Sequence, residues 1–206
     1  SHKCFERLEE LQTFEKINTI KADLSDHGSI TSAIRQSEPD EIYNLAAQSF
    51  VGASFQQPIL TADITGLGVL RVLEAIKENA PDAKFYQASS SEMYGNYSGE
   101  KNEVSPFVPR SPYGAAKVFG HHITNHYREA YNIFACCGIL FNHESPLRGL
   151  EFVTRKITST LARIKFKKTN VLKLGNINAK RDWGFAGDYV EAMWLMLQQK
   201  NPNDYV

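Results

Sequence analysis

Short apolar runs alternate with longer segments of helical spacing along this chain, and each switch between them marks an element. Ile17-Asn18-Thr19-Ile20-Lys21-Ala22 reads as a first strand, and a helix follows from Ser25-Asp26 to Gln36. Glu38-Pro39-Asp40 stops that helix, and Glu41-Ile42-Tyr43-Asn44-Leu45 reads as a second strand. Leu67, Leu70, Leu73 and Ile76 fall at helical spacing between Thr65 and Asn79, and Pro81 closes the segment. Lys84-Phe85-Tyr86-Gln87-Ala88 is a third strand. Ile133 to Phe141 is a fourth, almost wholly apolar, as a strand covered on both faces must be. A helix over Glu151–Lys165, a short strand over Val171–Leu174 and an aromatic-rich helix over Asp188–Gln199 complete the series. Strand–helix alternation of this kind predicts an α/β fold with a doubly wound parallel sheet.

The segment between the third and fourth strands carries the chemistry. Ser111-Pro112-Tyr113-Gly114-Ala115-Ala116-Lys117 opens with a hydroxyl at a helix N-cap and a proline at the first helical position, where its missing N–H costs nothing. Tyr113 and Lys117, four residues apart, then share one helix face. An ammonium beneath a phenol favours phenolate and is expected to lower its pKa. A phenolate is a base able to take a proton from a sugar hydroxyl as hydride leaves the same carbon. Tyr97 and Lys101 have the same spacing, but the glycines and serine around them make a loop with no helix to align the pair. Glu92 stands just beyond the third strand, at the end of a parallel sheet where ligands bind. One carboxyl there serves an elimination as base and then as acid, provided burial moves its pKa toward neutrality.

Composition narrows the setting. The chain has 206 residues, 42% hydrophobic and 22% charged, with formal net charge +0. That suits one domain with a sizeable core and gives no electrostatic argument for nucleic acid or a membrane surface. The basic run Arg163–Lys168 reads as a solvated helix end. No apolar stretch is long enough to span a bilayer. The three cysteines, Cys4, Cys136 and Cys137, form neither a disulfide framework nor a metal motif, which points to a reducing cytoplasm. His122 and His126 have i,i+4 spacing next to His121. With no carboxylate or cysteine near them in sequence, the three are read as a solvated helix face and no metal is expected.

A dinucleotide-binding sheet opens with a strand, a glycine-rich turn and a helix whose N-terminus holds the pyrophosphate. Neither GxGxxG nor GxxGxxG precedes Ile17; Ser1-His2-Lys3-Cys4-Phe5-Glu6-Arg7-Leu8 is instead a polar turn entering a helix. With Ile17–Ala22 as strand three in the order 3-2-1-4-5-6, strands one and two are absent and the sheet has a gap at its middle. The sequence is therefore expected to be part of a longer protein.

Four runs carry a resemblance: Asn44-Leu45-Ala46-Ala47-Gln48-Ser49, Ser89-Ser90-Ser91-Glu92-Met93-Tyr94-Gly95, Pro109–Lys117, and Leu140-Phe141-Asn142-His143-Glu144-Ser145-Pro146. In this order they resemble the extended short-chain dehydrogenase/reductase superfamily of nucleotide-sugar enzymes. With Phe152–Ile157 and Lys180-Arg181-Asp182-Trp183-Gly184, the chain looks more closely like the GDP-mannose 4,6-dehydratase branch, from about Arg7 to Val206.

That resemblance implies a Rossmann-type, NAD(P)-binding sheet over residues 1–145, without its first strands and phosphate loop. Residues 146–206 would carry nucleotide-sugar-binding segments of a small C-terminal lobe, interleaved with the last part of the sheet. It implies catalytic roles for Ser90, Glu92, Tyr113 and Lys117. Cofactor contacts would come from Asp23, Leu24, Leu45, Ala46, Ala47, Ser49, Tyr113, Lys117, His143 and Arg148. Substrate contacts would come from Ser49, Ser90, Ser91, Asn142, Val153, Lys156, Gly175 and Arg181. Ser90 stands where the family usually has threonine, and Ser91 where the related dTDP-glucose dehydratases have an aspartate acid, which favours the GDP-mannose branch.

The implied cofactor is NADP, with NAD the other candidate, since the charge at the end of strand two decides between them. The implied substrate is GDP-mannose, and the implied assembly a homodimer or homotetramer paired through helices. Some of these residues carry a plainer reading as well. Ala46 and Ala47 suit close packing, Asp23 suits a helix cap and Lys156 an exposed helix position. Two further readings stay open for the whole: a nucleotide-sugar epimerase or reductase, which has no need of Glu92, and a non-catalytic fragment that binds nucleotide or a partner chain.

Overall fold

The computed structural model describes residues 6–206; the start of the opening polar turn, with Cys4, lies outside them. The chain forms two compact units. The larger comprises Ile20–Leu140 and Glu191–Val206, and the smaller comprises the residues through Thr19 and Phe141–Val190.

The larger unit holds a parallel sheet of β1 (Glu41–Asn44), β2 (Lys84–Ser90), β3 (Ala135–Leu140) and β6 (Asp204–Tyr205), in the order β1-β2-β3-β6. Asn44 pairs with Gln87, and Ser90 with Leu140, so the C-terminal ends of the three long strands lie side by side. Parallel neighbours need helical crossovers. α5 (Gly68–Asn79) links β1 to β2 and α6 (Pro112–Tyr131) links β2 to β3. α2 (His27–Ser37) packs on α5, and Ile30, Ile34, Val69, Val72, Leu73, Ile76, Phe85, Tyr127 and Ala135 form the core between these helices and the sheet. Cys136 points the other way, its thiol against the Met196 carbonyl of α8 (Ala186–Leu197).

Local signals set several boundaries. Asp26 caps α2 by accepting from Gly28 N, and Glu38 ends it in the left-handed region at φ 43°. Ser111 accepts from Gly114 N at 3.0 Å with Pro112 at the first helical position, as its sequence predicts. Asn132, at φ 56°, closes α6.

Two strand expectations fail. Ile17–Ala22 is irregular, with Ile17 and Ile20 exposed. Among the described residues β1 is an edge, so this segment has no ladder partner, and an unpaired extended segment is not a strand. Val171–Leu174 is irregular for the same reason. The short strand of the smaller unit is β5 (Trp183–Phe185), parallel to β4 (Asn142–Glu144). The helix expected from Thr65 begins instead as a π-helical stretch, Ala62–Leu67, following α3 (Val51–Ser54) and α4 (Pro58–Thr61). That wider turn leaves Leu67 exposed while Leu73 and Ile76 are fully buried. In the smaller unit, α1 (Glu6–Glu10) and α7 (Val153–Lys165) are α-helical, with Arg163 and Lys165 exposed as read and Ile164 half-buried. Among the described residues no helix is long and apolar enough to cross a membrane.

Candidate active site

Tyr113 and Lys117 are both buried on the first turns of α6, with the Lys117 ammonium 5.7 Å from the Tyr113 ring centroid. Lys117 Nζ donates to the Ala88 carbonyl of β2 at 2.7 Å, which holds the ammonium at the sheet's C-terminal end. Burial pulls its pKa down to about 8. The expected lowering of the Tyr113 phenol is reversed. Burial pushes that phenol up, a hydrogen bond from Ser90 acts in the opposite sense, and Glu92 adds to the rise. Desolvation of the phenolate outweighs an ammonium that is itself desolvated and committed to a carbonyl.

Ser90 ends β2 and its hydroxyl accepts from Glu92 N at 3.2 Å, capping the 3₁₀ turn Ser91–Met93. That cap turns Glu92, half-buried, out of the strand beside the start of α6. Gly114 explains how close the two come. A Cβ there would stand 2.8 Å from the Glu92 carbonyl oxygen and 3.1 Å from Pro109 Cβ. Gly114→Ala is therefore expected to cost about 1–3 kcal/mol of stability by overpacking. It should also slow turnover by pushing Tyr113 from Glu92. Chemical denaturation and rate measurement check both, and unchanged values would show that the backbone yields freely there.

The loop after β1 forms the neighbouring rim. Leu45, Ala46 and Ser49 are exposed and Ala47 half-buried. Gln48 N donates to Thr65 Oγ1 at 3.1 Å and Thr61 Oγ1 donates to Gln48 Oε1 at 3.3 Å, which ties this loop to the π-helical stretch. The sequence reading missed this clamp, whose one signal is a threonine pair at i,i+4. Asp23 sits in a turn, its Oδ1 accepting from Ser25 N and Oγ, and those hydrogen bonds lower its pKa. Leu24 is partly buried against the core, and its carbonyl accepts from Arg71.

The remaining predicted residues lie in the smaller unit. Asn142 and His143 are on β4; His143 Nδ1 meets the Phe141 carbonyl at 2.9 Å and its ring stacks on Tyr189. Arg148 pairs with Glu144 at 3.1 Å and lies over the Phe152 ring, while Thr154 Oγ1 donates to the same carboxylate at 2.5 Å. Val153 and Lys156 are exposed on one face of α7, and Gly175 and Arg181 are exposed on the loop that follows.

His122 and His126 are exposed as expected, but His121 is not part of a solvated face. It is 3% exposed, and the fold brings Cys137 and Asp204 to it from 16 and 83 residues away in sequence. Sequence proximity was the wrong test, because strand pairing and not local spacing supplies those neighbours.

Helices packed on a parallel sheet define a Rossmann-type fold, with the buried Tyr–Lys pair and the carboxylate standing where the strands end. A Pseudomonas aeruginosa protein, RMD, solved in complex with NADPH, superposes with a TM-score of 0.83 at 24% identity, covering 91% of this chain and 67% of that one. The family described as GDP-mannose 4,6 dehydratase matches residues 1–206, and the chain belongs to it. GDP-mannose 4,6 dehydratase 2 of Arabidopsis thaliana is 58% identical over 189 residues, covering 90% of this chain and 51% of the relative. The Homo sapiens GDP-mannose 4,6 dehydratase is 53% identical over 187 residues, covering 89% and 50%. The chain thus spans about half the length of the curated relatives it matches.

Proposed function

We propose that the protein containing this chain is an NADP-dependent lyase that converts GDP-mannose to GDP-4-keto-6-deoxymannose and water. The observation that carries the reading is the buried Tyr113–Lys117 pair beside Glu92 at the end of β2, in a chain of this family. Tyr113 takes the O4 proton as C4 is oxidised to a ketone. Glu92 removes the C5 proton that the ketone has acidified, then delivers a proton to the C6 hydroxyl as it leaves as water. Ser90 holds O4 and steadies the Tyr113 phenolate.

The residues present fit a nicotinamide dinucleotide. Lys117 spends one of its three N–H donors on Ala88 O, leaving donors for a ribose, and Ala46 and Ala47 present small side chains at the rim. When bound, the nicotinamide accepts and returns the hydride and, oxidised, supplies a positive charge that favours phenolate. Beyond Tyr113 and Lys117, cofactor contacts are assigned to Asp23, Leu24, Leu45, Ala46, Ala47, Ser49, His143 and Arg148. NADP is preferred because RMD, of like fold, was solved with NADPH. Substrate contacts are assigned to Ser49, Ser90, Ser91, Asn142, Val153, Lys156, Gly175 and Arg181, with Lys156 and Arg181 carrying the charge a pyrophosphate needs. Two regions of sequence are involved: residues 1–145 as the dinucleotide-binding part, and segments within 146–206 for the sugar nucleotide.

A cytoplasmic homodimer or homotetramer is the proposed form. Leu67 and Phe119, apolar yet exposed, support pairing through the helices around α6. The test is incubation of the full-length protein with GDP-mannose and NADP. A 4-keto-6-deoxy sugar nucleotide is the expected product. A C4-epimerised hexose, or no turnover, would overturn the assignment.

A further inference from the structure

Residues that the catalytic reading leaves unused meet beneath the inner face of α6. His121, Asn125 and Arg128 recur at i, i+4 and i+7 and so form one stripe of that helix. Cys137 of β3 and Asp204 of β6 are register partners, so their side chains leave the sheet on the same side. The imidazole, the thiol and the carboxylate each bring a ligand atom within 4.8 Å of the other two. His121 Nε2 lies 3.3 Å from Asp204 Oδ2. The Asn125 amide stands against all three groups: its nitrogen is 2.9 Å from Oδ2 and 3.3 Å from Nε2, and its oxygen is 3.6 Å from Cys137 Sγ.

The surroundings orient these atoms inward. Ser89 Oγ lies 3.1 Å from His121 Nδ1; with the serine oxygen accepting the Nδ1 proton, the Nε2 lone pair is free to face the cluster. Arg128 Nη1 donates to Asp204 Oδ1 at 3.0 Å and leaves Oδ2 facing the cluster. Partners of this kind, on the far atom of each ligand, are what metal-binding imidazoles and carboxylates carry. A tetrahedral zinc with bonds of about 2.0–2.1 Å to nitrogen and oxygen separates those two ligands by about 3.3 Å. That matches the Nε2–Oδ2 distance. One thiolate, one imidazole and oxygen donors select a borderline cation over magnesium or calcium.

We propose that His121, Cys137 and Asp204 bind a zinc ion that staples β6 to β3 and α6, with the Asn125 side-chain oxygen turned inward as the fourth ligand. Forming the Sγ–metal bond releases the Cys137 thiol proton to solvent, while Asp204 binds as the carboxylate it already is. The Arg128 guanidinium, 3.0 Å from its Oδ1, already pairs with that carboxylate. Thiolate, carboxylate and dication then sum to zero, with Arg128 outside the ligand shell. His121 and Cys137 are buried while Asn125 and Asp204 are partly exposed, so the metal is expected to enter from the β6 side as that strand docks. The site is independent of the catalytic assignment.

The test uses the full-length protein, expressed with added zinc and desalted. Close to equimolar zinc is expected by mass spectrometry, and refolding with cobalt(II) should give a thiolate-to-cobalt charge-transfer band. Cys137→Ala should lose both, while Cys136→Ala, whose thiol faces Met196, should keep both. If Cys137→Ala fails to fold, Asp204→Asn and the chelator-refolded wild type stand in for it. The first should lose zinc and the second should melt at a lower temperature than the zinc-loaded protein. A wild type that holds no zinc and gives no cobalt band after refolding would leave a hydrogen-bonded polar cluster only and overturn the proposal. So would a band that survives Cys137→Ala.

Discussion

Tyr113→Phe is expected to slow turnover on the order of 10²–10⁴-fold while leaving nucleotide binding nearly intact. The substitution removes one oxygen from a buried ring, and the ring still fills its place on the first turn of α6. Lys117 keeps its bond to the Ala88 carbonyl, so the ammonium that serves the cofactor ribose in this reading does not move. The pH dependence follows from the surroundings of the phenol. Burial raises its pKa and the Ser90 hydrogen bond lowers it, so activity that depends on phenolate rises with pH. Ser90→Ala should move that rise to higher pH. Turnover and nucleotide affinity, measured on both variants across pH, check the argument. A Tyr113→Phe enzyme with near-normal rate would remove the phenol from the mechanism.

Glu92→Gln is expected to stop the reaction halfway. The 3₁₀ turn is held by its backbone, Glu92 N to Ser90 Oγ, so an isosteric amide should keep its position while losing the ability to take a proton. Oxidation at C4 remains possible without that proton transfer, whereas loss of water from C5 and C6 does not. Reduced cofactor should therefore accumulate on the enzyme when GDP-mannose is added, with little product released. In the parent enzyme, solvent deuterium should appear at C5, since that proton passes through an exchangeable carboxyl. Unchanged product formation by Glu92→Gln would sink the dehydratase reading and favour an epimerase, which has no elimination to perform.

The elements legible in the sequence are those whose signals are local. The Ser111 cap and Pro112 start α6 from neighbouring residues, and the helical period alone puts Tyr113 and Lys117 on one face. Lys84–Ser90 and Ala135–Leu140 are buried along nearly their whole length, as strands covered on both faces are, and Glu41–Asn44 pairs parallel to the first of them at the edge. Glu92 was legible too, as the carboxylate immediately beyond a strand end. Ile17–Ala22 and Val171–Leu174 were misread because strand-like composition becomes a strand only when another edge accepts its hydrogen bonds.

The rest was decided by tertiary structure. The direction of the Tyr113 shift depends on how completely the phenol leaves water, which the i,i+4 spacing does not contain. Gly114 looks like an ordinary small helical residue until the Glu92 carbonyl is seen against it. His121 looked like one of three solvated histidines, and only the pairing of β3 with β6 brings Cys137 and Asp204 to it. This sequence by itself determined the capped starts of α2 and α6, its sheet class and the shared helix face of Tyr113 and Lys117, because each rests on residues a few positions apart. Only the folded chain decided which polar groups are buried together, because desolvation and proximity across strands arise from packing between distant segments.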